Sequence, residues 1–315
     1  MPKLIPVKYH HKINFPSHIK VEVHEVHGNF HREKSLPHIH FPYSLHTECS
    51  HGEITFSPKI INYFKNIASA QKDGIPKLWE NKKWADDFFK FIVWIIGPNK
   101  PPDVLEIHPP YNDYCTSFEQ FLDIFNVFYH KFNVSCPETT ILIENRYGTK
   151  YNNRILVDGK WRKANFLLSK CDEVWKFAEI LSGNTDVKLK IVLDYPQLFS
   201  AESPKDDKKG NWMGSNPLQL LKKIILFNRN LRKYKKVIGG FHMWGKEYTK
   251  NRWNPHSGNF DTFFSNDKKL KRQFLNSLVS TFNDDIDRYF VPEIKRESDV
   301  YSIVTDMEKK GFVFS

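Results

Sequence analysis

The sequence is poor in cysteine and lacks long apolar runs. Its four cysteines are widely spaced without a CxxC pair, so neither a zinc ribbon nor a disulfide framework is expected: Cys49, Cys115, Cys136 and Cys171. The longest apolar candidate, residues 88–97, is interrupted by Lys90 and is far shorter than the roughly 18 apolar residues of a membrane span. The N-terminus has no continuous apolar stretch typical of a signal peptide. We therefore expect reduced thiols, no membrane association and a cytoplasmic location.

Acidic residues are outnumbered by basic ones. The chain has 36 Asp plus Glu against 47 Lys plus Arg, a formal net charge of +11 that attracts phosphate-bearing partners. Basic runs lie at 222–223, 229–236 and 268–272. Net charge constrains association rather than fold, so it favours a DNA partner without establishing one. Apolar residues at 40% and aromatics at 15% supply a large core, which excludes disorder as the dominant state.

Short β-branched runs alternate with helical patterns from residue 100 onward. The alternation predicts strands at 104–108, 139–144, 189–194, 237–242 and 289–293. Helices are predicted between and after them, at 117–132, 163–181, 216–233, 266–285 and 297–310. The strands are almost continuously apolar, as expected of parallel strands buried on both faces. We therefore predict an α/β fold, a TIM-type (β/α) barrel formed by residues 1–315 as a single domain.

The first hundred residues are less regular. Strands are predicted at 19–26 and 37–41 and more weakly at 3–9, with helices at 58–71 and 82–96. Only about ten residues separate the first two of these strands, too few for a full crossover helix. The barrel is therefore expected to be irregular at its N-terminal side. The polar segment 202–214 is predicted to be a long loop.

An imidazole or a carboxylate lies at the end, or one residue before the end, of each of six predicted strands. These residues are His40, His108, Glu144, Asp194, His242 and Glu293. Carboxyl ends of parallel barrel strands emerge on one face, so the six side chains are expected to meet there. Imidazole and carboxylate together suit zinc or manganese, and a carboxylate can bridge two ions. A single charged residue at a strand end is more often a helix cap, and Arg146 is an alternative cation partner for Glu144.

Six segments resemble, in order, a known superfamily of barrels. They read LPHIHFPYSLH, VLEIHPPY, ILIENRYG, IVLDYPQLFSA, GGFHMWGK and YFVPEI. The set is similar to endonuclease IV and to the xylose isomerase-like isomerases and epimerases. The resemblance implies one divalent ion held by Glu144, Asp194, His242 and Glu293. It implies a second ion held by His40 and His108, with Glu144 as the bridge, and His38 competes with His40 for this role.

Two departures from endonuclease IV reduce the expected number of ions to one or two. Gln197 stands where that family has a His, and Asn254 stands where its later Asp-x-His pair begins, before His256. Amides are poor zinc ligands but can hydrogen-bond a substrate, so Gln197 is predicted to bind substrate. Without an Asp to complete the pair, His256 is likewise predicted to bind substrate. Tyr111 and Trp244 stand where a base or sugar ring could stack, with packing at the barrel rim as the alternative. Seven histidines lie between positions 24 and 51, and at most two are expected to be ligands.

The residues and the resemblance together predict a metal-dependent phosphodiesterase that acts on DNA at abasic sites. In this hypothesis Glu144 bridges the ions, Glu293 orients or deprotonates the attacking water, and Arg146 or Lys246 neutralises phosphate charge. The alternative is a sugar or sugar-phosphate isomerase or epimerase, in which Glu144 and Glu293 exchange a proton at carbon. His40 and His108 discriminate the two, because ligands to a second metal favour hydrolysis. A non-catalytic ligand-binding barrel is the third possibility, kept open by Gln197.

Overall fold

The computed structural model has the predicted fold class, a TIM-type (β/α) barrel. The structure describes residues 1–11, 13–49, 53–72, 74–147, 155–157, 160–162, 165–184, 186–203, 212–250 and 252–315. Eight strands, named here β1 to β8, are Lys3–Lys8, Val23–Gly28, Tyr43–Thr47, Val104–Ile107, Thr140–Glu144, Leu189–Asp194, Ile238–Met243 and Asp287–Pro292. They form a closed parallel barrel surrounded by helices, and the first strand pairs with the last through Lys3 and Asp287.

The remaining elements are helices and short hairpins. The described α-helices are Pro58–Tyr63, Lys65–Ser69, Lys82–Ile96, Phe118–Ser135, Cys171–Gly183, Tyr195–Glu202, Pro217–Leu231, Phe260–Phe263, Lys268–Phe282 and Glu297–Glu308. Two 3₁₀ helices span Tyr9–His11 and Arg232–Val237. Three antiparallel pairs join Gln71–Lys72 to Ile75–Pro76, Ile155–Val157 to Lys160–Arg162, and Lys246–Thr249 to Arg252–Pro255. A short strand, Val313–Phe314, pairs with β1. Within the described ranges, no helix has the length and apolarity that crossing a bilayer requires.

The chain divides into two compact units. The terminal unit comprises residues 1–25, 170–183 and 190–315, and the central unit comprises residues 26–169 and 184–189. In the terminal unit β6 pairs with β7, β7 with β8, and β8 with β1. In the central unit β3 pairs with β4, and β4 with β5. Whether the chain behaves as the predicted single domain stays a prediction.

Two amphipathic helices of the central unit pack against each other. Helix Lys82–Ile96 begins where Asn81 accepts a hydrogen bond from the backbone N–H of Trp84, and helix Phe118–Ser135 begins at the equivalent cap of Ser117. Aromatic side chains on their facing sides pack together, among them Trp84, Phe88, Phe121, Phe125 and Phe128. Burial of each large apolar side chain contributes roughly 1.5–3 kcal/mol, so this cluster holds the two helices firmly together.

The irregular N-terminal side is confirmed. In its described residues, the β1–β2 connection contains only the 3₁₀ helix Tyr9–His11, and residues 29–42 between β2 and β3 contain no helix. The single helix predicted at 58–71 is two short helices, because the backbone leaves helical geometry at Phe64 with φ −123° and ψ 61°.

The strand predicted at 37–41 is wrong, and the true strand is Tyr43–Thr47. Proline at positions 37 and 42 removes two backbone donors that a ladder requires. The backbone N–H of Ile39 donates instead to Oδ1 of Asn99 at 2.8 Å. The shift of six residues changes which histidine occupies the third strand.

A helix missed by the sequence analysis, Tyr195–Glu202, follows β6 directly. Asp194 caps it, because its Oδ1 accepts the backbone N–H of Gln197 at 2.9 Å.

The loop predicted at 202–214 falls mostly on residues 204–211, outside the described residues. Its end is packed rather than solvated, since Trp212 and Met213 are buried.

Candidate metal centre

Three neighbouring strands of the central unit bring four ligand-type side chains together. His46 lies on β3, Glu106 on β4, His108 directly after β4, and Glu144 at the end of β5. Parallel pairing sets His46 opposite Glu106. One ligand atom from each of the four side chains lies within 4.8 Å of the other three.

The closest contacts of this cluster centre on His108. Its Nε2 lies 2.9 Å from Oε2 of Glu144 and 3.1 Å from Nε2 of His46. Nε2 of His46 lies 3.3 Å from Oε1 of Glu106. Glu106, His108 and Glu144 are buried, so these groups interact in a medium of low polarity where charge is costly unless it is compensated.

The second ring nitrogen of His108 decides what its Nε2 can do. Nδ1 lies 3.2 Å from the carbonyl oxygen of Glu48, which can only accept, so Nδ1 carries a proton in this bond. Burial lowers the pKa of His108, although the neighbouring Glu144 carboxylate opposes this, and the ring is therefore neutral near pH 7. A neutral ring protonated on Nδ1 presents a lone pair at Nε2, directed at Glu144. A cation shared by the two groups removes the repulsion between them.

The main chain around His108 is held in place by two further hydrogen bonds. Trp79 donates its indole N–H to the carbonyl of His108 at 2.8 Å. Thr47 donates its hydroxyl to the carbonyl of Glu106 at 2.8 Å. Such surrounding bonds orient the ligands of metal sites and restrict their motion.

Arg146 contacts the same cluster from the loop after β5. Its Nη1 donates to Oε1 of Glu144 at 3.2 Å, and its Nη2 lies 3.9 Å from Sγ of Cys49. Two imidazoles and two carboxylates are a donor set that fits a divalent cation such as zinc or manganese.

The structure places one predicted ligand outside this cluster and brings two other side chains into it. His40 is exposed, and its ring packs edge-on against His38 at 4.2 Å between centroids, outside the cluster. His46 takes the place on the third strand that was predicted for His40, because the strand begins at Tyr43. Glu106 was missed although it carried a signal: a carboxylate within the apolar run VLEI is costly to bury without a cation partner.

The terminal unit carries the other predicted ligands at its strand ends. Asp194 ends β6 and pairs in register with His242 on β7. Nδ1 of His242 lies 3.3 Å from Oε1 of Glu293, which follows β8. All three side chains are buried. The predicted joining of Glu144 with Asp194, His242 and Glu293 around one ion stays a prediction.

Trp244 is buried and hydrogen-bonded to a predicted metal ligand. It is 3% exposed, and its indole N–H donates to Oδ2 of Asp194 at 3.0 Å. Its ring lies 4.4 Å from that of His256. Tyr111 is also buried, and its ring stacks on that of Phe166 with the centroids 4.3 Å apart. Both positions therefore follow the packing alternative.

A cavity of about 630 Å³ in the terminal unit is lined by residues 294–296, which follow Glu293 in the chain. His256 lines it, and Nδ1 of His256 lies 3.4 Å from Oε2 of Glu293. His10 also lines the cavity, and His10 and His256 have left-handed backbones, with φ 51° and 54° respectively. Non-glycine residues in this conformation cluster at functional sites. His256 is thus placed to contact a bound molecule, whereas Gln197 is buried at the start of its helix.

Lys246 lies half-buried in an aromatic environment. Its Nζ donates to Oγ of Ser200 at 2.7 Å and lies 3.9 Å from the centroid of the Trp212 ring. Burial lowers its pKa to about 8, although the negative charge of Asp194 opposes this.

The basic run at 229–236 precedes β7, so it lies at the amino end of that strand, whereas His242 lies near the carboxyl end.

Comparison with known proteins shows similarity of fold alone. No protein-family profile and no curated protein sequence matches the chain. The AsfvAP:AG crystal structure is 9% identical, with 85% of this chain and 84% of that chain covered at TM-score 0.44. Endonuclease IV from Thermus thermophilus is 12% identical, covering 92% and 98% at TM-score 0.41. A xylose isomerase domain protein from Planctomyces limnophilus is 10% identical, covering 98% and 96% at TM-score 0.43.

Proposed function

We propose that this protein is a divalent-metal-dependent phosphodiesterase that acts on DNA, with an abasic site as the target. The observation that carries the proposal is the buried cluster of His46, Glu106, His108 and Glu144. Two imidazoles and two carboxylates with mutually close ligand atoms form a donor set for zinc or manganese. The criterion derived from the sequence named His40 and His108, and His40 lies outside the cluster. His46 lies beside His108 in its place, and a pair of histidines available to a metal on the early strands supports hydrolysis over isomerisation.

The cluster residues would hold one ion, and Asp194, His242 and Glu293 are the proposed metal ligands of the terminal unit. When bound, a divalent ion supplies Lewis-acid stabilisation of the charge that develops on the phosphate oxygens. Arg146 holds Glu144 in place and offers guanidinium N–H groups that can donate to a phosphate oxygen. Its position supports the predicted charge-neutralising role.

The terminal unit supplies the groups for proton transfer. Glu293 is a buried carboxylate flanked by two imidazoles, within 3.4 Å of each. We assign Glu293 the removal of a proton from the attacking water. His256 would stabilise the charges that this proton transfer produces. Lys246 would remain largely protonated at pH 7, since its pKa is about 8, and can neutralise phosphate charge.

The test measures cleavage of a duplex with one abasic site, after metal removal and after readdition of zinc or manganese. Glu144→Gln keeps the shape of the side chain and removes its charge, and His40→Gln is the matched control outside the cluster. The proposal expects metal-dependent cleavage by the wild type and by His40→Gln, and a loss of about 100-fold or more in Glu144→Gln. Full activity of Glu144→Gln, or equal activity with and without metal, would overturn it. Turnover of free sugars in place of DNA would establish the isomerase.

A further inference from the structure

A groove of about 390 Å³ lies between two helices of the terminal unit. Helix Pro217–Leu231 and the residue that follows it line one side, and helix Lys268–Phe282 lines the other. The lining residues recur at i, i+4 and i+7 on the first side and at i, i+3, i+4, i+7 and i+8 on the second, so each helix turns one face to the groove. The helices lead to the amino ends of β7 and β8, whereas His242 and Glu293 lie at the carboxyl ends. This interhelical groove is therefore separate from the proposed catalytic groups.

Two arginines line the first side of the interhelical groove. Arg229 and Arg232 are three residues apart on a continuous helical backbone, since Arg232 has φ −51° and ψ −34°, so their side chains leave the helix from neighbouring positions. Among the described residues neither arginine has an ion-pair partner, whereas the nearby Lys235 pairs with Asp284. None of the described residues that line the groove is acidic. The positive charge of the two guanidinium groups is thus available to an anion.

Two serine hydroxyls on the second side are placed to donate hydrogen bonds. Oγ of Ser277 accepts from Nδ2 of Asn228 at 3.1 Å, and Oγ of Ser280 accepts from Nη2 of Arg232. Asn228 is fully buried, and its Oδ1 accepts the hydroxyl of Tyr195 at 2.8 Å, which fixes the orientation of the amide. Because each serine oxygen already accepts a hydrogen bond, its own O–H proton can serve a further acceptor. The groove therefore combines two cations with two neutral donors.

One acceptor in the interhelical groove is unsatisfied. Oε1 of Gln273 is buried and has no hydrogen-bond partner in the part of the chain that the structure describes. A buried amide oxygen without a partner is costly, and most such atoms in native proteins are hydrogen-bonded. A molecule that fills the groove can satisfy this atom with a hydroxyl or amino group.

We propose that the interhelical groove binds a small phosphorylated molecule that also carries hydroxyl groups. The phosphate accepts hydrogen bonds from the guanidinium and hydroxyl groups of Arg229, Arg232, Ser277 and Ser280. Guanidinium groups suit this role because their paired N–H groups match the oxygens of a phosphate. A hydroxyl of the ligand donates to Oε1 of Gln273, which a bare phosphate ion cannot do. The volume of the groove lies within the range of small-molecule sites, roughly 300–1,000 Å³.

Binding is measured by isothermal titration calorimetry of the whole chain with ribose 5-phosphate as the probe. EDTA is present, so that no divalent ion can recruit the probe to the metal centre. Wild type is expected to bind ribose 5-phosphate, and to bind inorganic phosphate about 2- to 10-fold more weakly because the bond to Gln273 is lost. Ribose without phosphate is expected to give no measurable heat of binding.

Three variants separate the groove from general attraction by positive charge. Arg229→Gln is expected to weaken binding about 10- to 100-fold, since it removes a charged donor to phosphate. Arg272→Gln makes the same change at an exposed arginine outside the lining residues, where salt screens the charge, and is expected to bind within about twofold of wild type. Gln273→Met removes the acceptor at similar side-chain length. It is expected to weaken the binding of ribose 5-phosphate to the level of inorganic phosphate, whose affinity stays unchanged.

Failure of wild type to bind ribose 5-phosphate would overturn the proposal, as would equal losses in Arg229→Gln and Arg272→Gln. A short DNA duplex that displaces the probe from wild type at lower concentration than inorganic phosphate does would assign the groove to a nucleic-acid backbone and would also overturn it. Glu144→Gln is expected to bind the probe as wild type does. A loss of binding in that variant would place the probe at the metal centre and contradict a separate site.

Discussion

The Nε2 atoms of His46 and His108 lie 3.1 Å apart, with a carboxylate oxygen of Glu144 2.9 Å from the second of them. Two imidazole nitrogens and a carboxylate that converge in a buried place have two physical explanations: a chain of hydrogen bonds with shared protons, or a common cation. The Nδ1 proton of His108 is already committed to the carbonyl of Glu48. This commitment favours the cation, because it leaves the Nε2 lone pair of a neutral ring facing the carboxylate.

Replacement of His46 and of His40 separates the two candidate ligands. His46→Ala is expected to weaken zinc binding by about 10- to 100-fold or more, because it removes one imidazole from the cluster. His40→Ala is expected to leave the affinity unchanged, because that side chain is exposed and outside the cluster. Competition with a chromophoric chelator measures both affinities. Equal weakening in both variants, or weakening only in His40→Ala, would contradict the assignment.

Trp244→Phe tests whether the indole N–H positions Asp194. The change keeps an aromatic ring beside His256 but removes the donor to Oδ2 of Asp194. We expect the free energy of unfolding to fall by about 1–3 kcal/mol and metal-dependent cleavage to fall about 10-fold. Urea denaturation and kcat measure the two effects. Trp94→Phe, at a half-buried helix position, is the control, and an identical outcome for both variants would reject the positioning role.

Stability of the metal-free protein is expected to decline as the pH falls below about 6.5. Burial lowers the pKa of His108 beneath its ordinary value of 6.5, so the unfolded chain binds this proton more readily than the folded one. The stabilisation is present above pH 6.5 and is lost as the pH falls through the window between the two pKa values. Denaturation curves of wild type and His108→Gln between pH 5 and 8 check this. Parallel pH profiles would argue against a neutral His108.

Lys246→Met is expected to increase stability and decrease activity. At pH 7 the wild-type amine is protonated in both states, and its lowered pKa of about 8 measures the cost of burying that charge. Methionine removes this cost, so the free energy of unfolding should rise by about 1–2 kcal/mol, allowing for partial exposure. The gain should shrink as the pH rises from 8 to 10.5, where the wild-type amine becomes neutral. A gain that is independent of pH would show that packing rather than charge is responsible.

The fold could be predicted from the sequence wherever strands are apolar and helices amphipathic. The strand predicted at 189–194 and the helix predicted at 82–96 match the structure at both ends. In the N-terminal third the pattern weakened, because short connections replace the crossover helices there. The run PHIHF around His40 is as apolar as a strand, and only its flanking prolines indicated otherwise.

The candidate site was predictable only in part, for a related reason. Glu144, Asp194, His242 and Glu293 lie at or beside clear strand ends, where the residue type itself is the signal. His46 depended on the correct strand register, and Glu106 lies one residue inside an apparent core strand. Trp244 could not be assigned from sequence, since its contact with Asp194 spans 50 residues of chain. Contacts of this kind follow from the closed barrel rather than from any local pattern.

The most direct test of the account is the metal content of the protein itself. Wild type, His40→Ala and Glu144→Gln would be stripped with chelator, dialysed against zinc or manganese, washed and measured by elemental analysis. We expect at least roughly one tightly bound equivalent in wild type and in His40→Ala, and a large loss in folded Glu144→Gln. Wild type that retains no metal, or Glu144→Gln that retains as much as wild type, would contradict it.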